Sequence, residues 1–204
     1  TKFRFKNPLV SIDGTCIELC AKLYPWAEYQ RQKGAVKLHC MLDHAGYLPA
    51  LMVLTTLKIS ELRIARRFKF EPGTIVTFDR GYVDFEWFHQ LNEAKIYFVT
   101  RLKRAARYEV LENRPASQEH GIVSDQMVRF TAKRTQRRYP DPLRIVTIRT
   151  DKGETLEFLT NNLKLAASTI AAIYKDRWQI ELFFKALKQN LRVRTFVGAS
   201  GNAL

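Results

Sequence analysis

Two short apolar runs, each ending on an acid, constrain this chain most. Leu9-Val10-Ser11-Ile12 leads into Asp13, and Thr74-Ile75-Val76-Thr77-Phe78 leads into Asp79. Runs of this length read as strands buried within a sheet. Gly14-Thr15 is expected to turn the chain after the first. Residues 35–43 and 47–57 read as two more strands, joined as a hairpin through His44-Ala45-Gly46, with Pro49 near an edge or bulge. Ser60 is a plausible N-cap for a helix reaching Phe68. Residues 84–93 read as helix and 96–100 as strand. Asp151-Lys152-Gly153 is a hairpin turn signal before a strand over 156–161, and 168–191 reads as one long helix. The order implies an α/β fold whose mixed sheet is covered on both faces.

An acid at the end of a buried strand stands where ligands collect in open α/β sheets. Two such carboxylates can hold Mg²⁺-type ions, although either acid taken alone reads first as a turn cap. The long helix supplies a third. At about 100° per residue, Tyr174, Arg177, Glu181 and Lys188 fall within roughly 60° of one another. Ile173, Ile180, Phe184, Leu187 and Leu191 form an apolar stripe beside them. Glu181 is thus placed at the margin of the core, where a carboxylate needs a cationic partner; Arg177 is the simplest one. Three carboxylates on three elements can hold two metal ions for in-line phosphoryl transfer. His39, His44, His89 and His120 pair with no candidate nucleophile and read as structural.

Charge points to the partner. Lys and Arg outnumber Asp and Glu by 34 to 20, a net charge of +14, which favours a polyanion. Residues 101–150 carry twelve Lys or Arg against five Asp or Glu. They alternate β-like stretches with polar turns and read as an antiparallel β insertion. Cys16, Cys20 and Cys40 are too few for a disulfide framework, and with His39 and His44 they match no common zinc-finger spacing, so they read as reduced thiols. No segment reaches the ~18 apolar residues of a membrane span. The missing initiator Met and the loop-like 197–204 end suggest a piece of a longer chain.

The string Tyr174-x2-Arg177-x3-Glu181-x6-Lys188 resembles the signature of DDE transposases in the insertion-sequence-four family. The strings Val10–Thr15, Lys33–His39, Thr77–Asp84, Phe98–Lys103, Phe158–Asn162 and Arg177–Lys185 agree with it. The resemblance implies a ribonuclease-H-like mixed sheet flanked by helices, with an antiparallel β-rich insertion over 101–155, before the glutamate-bearing helix. It implies one catalytic domain over 1–204, incomplete at both ends. The metal ligands would be Asp13, Asp79 and Glu181, holding two Mg²⁺ ions for which Mn²⁺ can substitute. Tyr174, Arg177, Lys188 and Arg80 would contact DNA. The implied reaction is metal-dependent strand cleavage at insertion-sequence ends and strand transfer into target DNA, a cut-and-paste transposition. The implied partner is double-stranded DNA, bound by a homodimer in the bacterial cytoplasm with no membrane involved. The alternative is an inactive remnant serving only as a basic DNA-binding domain. Leu57-Lys58 and Glu61 stand where relatives often carry Gly-Lys and then Asp. The insertion has no Trp, only Tyr108, Phe130 and Tyr139.

Overall fold

A computed structural model describes residues 2–20, 28–30, 33–103, 106–115 and 121–190. Its elements are β1 (Leu9–Cys20), β2 (Glu28–Gln30), β3 (Lys33–Asp43), β4 (Leu48–Thr56), α1 (Glu61–Ala65), β5 (Ile75–Thr77), a 3₁₀ turn (Arg80–Tyr82), α2 (Phe85–Glu93), β6 (Tyr97–Arg101), β7 (Tyr108–Asn113), β8 (Ile122–Phe130), α3 (Lys133–Arg138), β9 (Leu143–Arg149), β10 (Thr155–Thr160), α4 (Ala167–Asp176) and α5 (Trp178–Asn190). They form two compact units. The first holds the described residues of Thr1–Val10 and Lys69–Arg177, the second those of Ser11–Phe68 and Trp178–Leu204. His120 and residues 191–204 lie outside the described residues.

In the first unit the strand order is β5-β6-β10-β9-β8-β7. β5 and β6 are parallel, in register Ile75↔Tyr97, Val76↔Phe98 and Thr77↔Val99. Each remaining neighbour pair is antiparallel, so the sheet is mixed. Successive side chains in a strand point to opposite faces, and β6 shows what each face meets. Phe98 stacks on Phe88 of α2 at 4.3 Å, alongside Phe78 and Trp87. Val99 packs with Ile75, Val146 and Phe158 against Ile170 and Ile173 of α4. Helices therefore cover both faces, which is why these strands read as near-continuous apolar runs. The turn at Asp151-Lys152-Gly153 joins β9 to β10 in register Thr155↔Arg149, with Gly153 at φ +80.

In the second unit β3 lies between β1 and β4. The β3–β4 hairpin carries its register shift at Met41/Leu42, where Leu42 faces Pro49. A proline lacks the N–H the ladder needs, so the bulge falls beside it as expected. Val36, Leu38, Cys40 and Leu42 of β3 and Ile17 of β1 pack against Ile180 and Phe184 of α5. Ser60 caps α1, its Oγ accepting from the Arg63 N–H at 3.3 Å.

Three expectations need correction. β1 does not turn at Gly14-Thr15 but runs on to Cys20. The alternation continues through Ile17, which is buried in the second unit's core, and that burial outweighs the weak turn signal. Asp13 therefore sits mid-strand. The segment after residue 101 contains a helix, α3, as well as strands. It buries no residue, so no apolar periodicity announces it. The helix over 168–191 is divided at Arg177, where the backbone N–H is shared between the Ile173 and Tyr174 carbonyls at 3.2 Å each. Two consecutive polar side chains, Asp176 and Arg177, are buried at that point. Lys2 holds Asp176 at 2.6 Å.

Candidate active site

Asp13, Thr15 and Ile17 share one face of β1 by the two-residue period. Ile17 packs in the core with α5. Asp13 and Thr15 border an open cleft of about 400 Å³, lined also by Gly14, Glu181, Phe184, Lys185, Lys188 and Gln189. α5 presents these groups because Ile180 and Phe184 fix its apolar side against β3. Glu181 and Lys188 lie roughly 40–100° around the helix from those anchors, half-buried and exposed respectively. Two of the three expected acids, Asp13 and Glu181, thus meet at one cleft with two lysines.

Asp13 Oδ1 accepts a hydrogen bond from the Gly14 N–H at 2.8 Å. Its charge is felt one strand away: the Cys40 thiol is pushed up to about 12, by burial first and by Asp13 second. A Cβ on Gly14 would stand 3.2 Å from Glu61 Cγ and Oε1. Glu61 in turn pairs with Lys37 at 3.4 Å. The Glu61 side chain is therefore packed against the peptide next to Asp13.

Asp79 lies in the first unit, two residues beyond β5. Its Oδ1 caps the 3₁₀ turn by accepting from the Gly81 N–H at 2.7 Å. A Cβ on Gly81 would come within 3.0 Å of that oxygen, so the glycine keeps the cap open to the backbone. Thr100 Oγ1 donates to the Asp79 carbonyl at 3.2 Å. Arg80 is half-buried within the turn. Tyr174 and Arg177 belong to this unit too. Arg177 is buried and lies over the Tyr174 ring at 5.5 Å, while Phe158 lies 4.9 Å from the same ring. The Tyr174 hydroxyl is raised above the ordinary tyrosine value, chiefly by burial. Arg177 and Arg101 oppose the rise, and Asp79 adds to it. These four groups therefore share one electrostatic neighbourhood.

Within the first unit, Tyr174 and Arg177 neighbour Asp79 and Arg101; within the second, Glu181 and Lys188 border the cleft with Asp13. Sequence reasoning missed Arg101 and Lys185. Lys185 was detectable as the i+4 neighbour of Glu181. Arg101 ends a strand and belongs to no helical stripe. The described histidines have structural partners: His39 Nε2 meets Thr55 Oγ1 at 2.9 Å, and His44 Nε2 meets Ser11 Oγ at 2.6 Å. His89 lies edge-on to Tyr139 at 6.0 Å.

Asp13 and Glu181 offer oxygen donors only, which suits a hard divalent cation. Among the described residues of either unit, no three His, Cys, Asp or Glu side chains gather as a metal site. A Mg²⁺ ion is commonly held by one or two carboxylates, with waters and substrate phosphates completing the shell. The cleft fits that pattern, and its lysines fit a phosphate. Among the described residues no helix is long and apolar enough to cross a membrane.

The sequence matches the family described as Transposase DDE domain over residues 4–203. It is 36% identical over 197 residues to "Putative transposase y4zB" of Sinorhizobium fredii (strain NBRC 101917 / NGR234), covering 95% of this chain and 55% of that protein. It is 23% identical over 169 residues to "Transposase InsG for insertion sequence element IS4" of Escherichia coli (strain K12), covering 77% of this chain and 37% of that protein. The chain thus spans about half the length of the first relative and less of the second. Among solved structures, the piggyBac transposase synaptic complex with hairpin DNA superposes with a TM-score of 0.53 at 12% identity, over 88% of this chain and 40% of that one. At that identity the likeness concerns the fold: a ribonuclease-H-like mixed sheet flanked by helices, with antiparallel strands added ahead of the Glu181 helix.

Proposed function

The chain belongs to the transposase DDE-domain family, with insertion-sequence-four transposases among its relatives, and from that premise we propose that it is the catalytic core of a DNA transposase. It would cleave DNA strands at the ends of an insertion sequence and join them to target DNA, a cut-and-paste transposition. The observation that carries the reading is the cleft in which Asp13 and Glu181 face Lys185 and Lys188. Carboxylates there can hold cations, and the lysines can neutralise phosphate charge.

The proposed ligands of two Mg²⁺ ions, for which Mn²⁺ can substitute, are Asp13, Asp79 and Glu181. Bound ions of this kind polarise a phosphoryl oxygen and lower the pKa of an attacking hydroxyl. The chain's own residues do the rest. β1 and α5 hold two carboxylates on regular elements, which limits their wander. The backbone cap at Gly81 orients the carboxylate of Asp79. Arg177, Tyr174, Lys188 and Arg80 are proposed to grip phosphates, Arg by its planar fork and Lys as a point charge. Residues 101–155 are proposed as the family's β-rich insertion. The substrate would be double-stranded DNA in the bacterial cytoplasm, with a homodimer joining two ends.

The test is Glu181→Gln in the full-length protein. Affinity for duplex DNA carrying the element's ends should be nearly unchanged, while Mg²⁺-dependent nicking falls by about a hundred- to a thousandfold, as for loss of a main electrostatic group. Nicking at the parental rate would remove Glu181 from the site.

A further inference from the structure

One short helix of the first unit concentrates positive charge. α3 carries Lys133, Arg134, Arg137 and Arg138 within six residues and buries none of them. Beyond the two basic residues of its last turn, Arg137 and Arg138, nothing intrinsic favours this helix. It is far shorter than the length at which an isolated helix persists in water. Its N-cap, Ala132, provides no side-chain hydrogen bond. Lys133 with Arg137 and Arg134 with Arg138 are like-charge i,i+4 pairs, each unfavourable.

The helix is anchored at its C-terminal end instead. Tyr139, which follows it, is buried, with its ring edge-on to His89 at 6.0 Å. Arg138 Nη1 reaches Asp84 Oδ2 at 3.9 Å. Asp84 Oδ1 also caps α2, accepting from the Trp87 N–H at 2.9 Å. One carboxylate thus ties both helices together, five residues after Asp79. Among the described residues, Lys133, Arg134 and Arg137 pair with no acid. The fold therefore tolerates a self-repelling helix and leaves three cations directed to solvent.

We propose that α3 is a docking surface for the phosphate backbone of duplex DNA, gripping it without reading bases. The inference rests on the transposase reading for its choice of polyanion. Lys133 and Arg137 are separated by about 6 Å along the helix axis, close to two base-pair steps of about 3.4 Å each. α3 has no aromatic side chain, so it offers no stacking platform for single strands. Phosphate contacts fix position and carry no sequence information. An acidic protein would meet the same charge, but the net charge of +14 over the whole chain favours nucleic acid.

The experiment is the triple substitution Lys133→Gln, Arg134→Gln and Arg137→Gln in the full-length protein, leaving Arg138 and its tie to Asp84 intact. Arg137→Gln alone serves as the milder variant. The melting temperature should hold, because no buried side chain changes. Binding to duplex DNA is measured against salt. The slope of log affinity on log salt should become shallower by about 0.9 for each phosphate no longer neutralised, hence by about 2.7 for the triple variant and about 0.9 for the single one. The change should be equal for end-bearing and unrelated duplexes. An unchanged slope on both would overturn the proposal. So would a loss confined to the end sequence, or weaker binding of polyglutamate with DNA binding intact. Glu181→Gln run in parallel separates the two readings. If it nicks at the parental rate while the triple variant loses slope, the catalytic reading fails and the α3 surface stands. If it abolishes nicking while the triple variant keeps its slope, the α3 surface fails alone.

Discussion

Removing the carboxylate of Asp125 should destabilise the protein more than removing any surface charge. Arg144 is 1% exposed, the least accessible cation described. Its Nε and Nη2 donate to Asp125 Oδ1 and Oδ2 at 2.7 Å each, a two-pronged pair. Its Nη1 donates to the Asn162 carbonyl at 3.1 Å and the Leu165 carbonyl at 2.7 Å. One guanidinium therefore links β8, β9 and the connection that leads into α4. Asp125→Ala would strand that guanidinium without a counter-charge, which costs about 3–5 kcal/mol. For a chain of this size each kcal/mol lowers the melting temperature by about 2–4 °C, so the expected fall is roughly 6–20 °C. The double variant Asp125→Leu with Arg144→Met removes both charges and should lose less than Asp125→Ala, because no ion remains buried alone. Arg144→Lys should fail to restore stability, since an ammonium cannot match both carboxylate oxygens and both carbonyls at once. Thermal unfolding by circular dichroism, with urea titration as a second measure, reads the difference. A loss under about 1 kcal/mol for Asp125→Ala, the range of exposed pairs, would show that the pair is hydrated and would refute the reasoning.

Gly121 sits at φ +71, and a Cβ there would fall 2.5 Å from the Arg149 carbonyl oxygen. Gly121→Ala should cost more than about 1 kcal/mol in urea unfolding, since both the backbone angle and the space oppose it. His39 is held near a pKa of about 4, against an ordinary 6.5, by burial first and by Lys37 second. Its folded value is depressed, so the unfolded chain takes up the proton first as pH falls. The stability His39 contributes is whole above pH 6.5 and is lost between 6.5 and about 4. His39→Gln should flatten the pH dependence of urea midpoints in that window. Cys16 is exposed and Cys40 buried, with the Cys40 thiol raised to about 12. Iodoacetamide at neutral pH should modify Cys16 in the native protein and spare Cys40 until urea unfolds it, as peptide mapping would record.

The strands were legible wherever burial on two faces left an uninterrupted apolar run. β5 and β6 are of that kind; the hairpin of β3 and β4 was legible instead from its turn and its proline-marked bulge, since β4 buries none of its residues. The limits of β1 were harder to read, because Asp13-Gly14-Thr15 looks like a turn when tertiary packing is ignored. Ile17 lies beyond the apparent stop and pulls the strand onward by its burial among Val36, Leu38 and Ile180. α3 was illegible for the opposite reason: it has no buried face, so no periodicity betrays it. Of the candidate site, Glu181 and Lys188 were grouped with each other by helical spacing, and both border the cleft with Asp13. Tyr174 and Arg177 were placed in the same stripe by the same arithmetic. Beside Arg177, Asp176 is buried and pairs with Lys2, a partner 174 residues away in sequence. No local rule could supply it.

The basic segment shows why a charge count must be resolved into environments before it is assigned a task. Counting gives 101–150 an excess of seven positive charges, and at that level each cation is equally a candidate for DNA. The structure assigns some of them elsewhere. Arg144 is spent on Asp125 inside the sheet, Arg138 is tied to Asp84, and Arg129 stands 3.4 Å from Glu109. Of the three, only the exposed Arg129–Glu109 pair is of the kind that screening and competing counterions dissolve at little cost. The buried pair cannot be recruited by DNA, because exposing it would unfold the strands that hold it. What survives as an electrostatic footprint is therefore smaller than the sum and more localised, and α3 holds three of its members side by side. A DNA-binding surface on this chain is better sought in cations that remain in solvent at a cost to local structure than in the total charge of the segment.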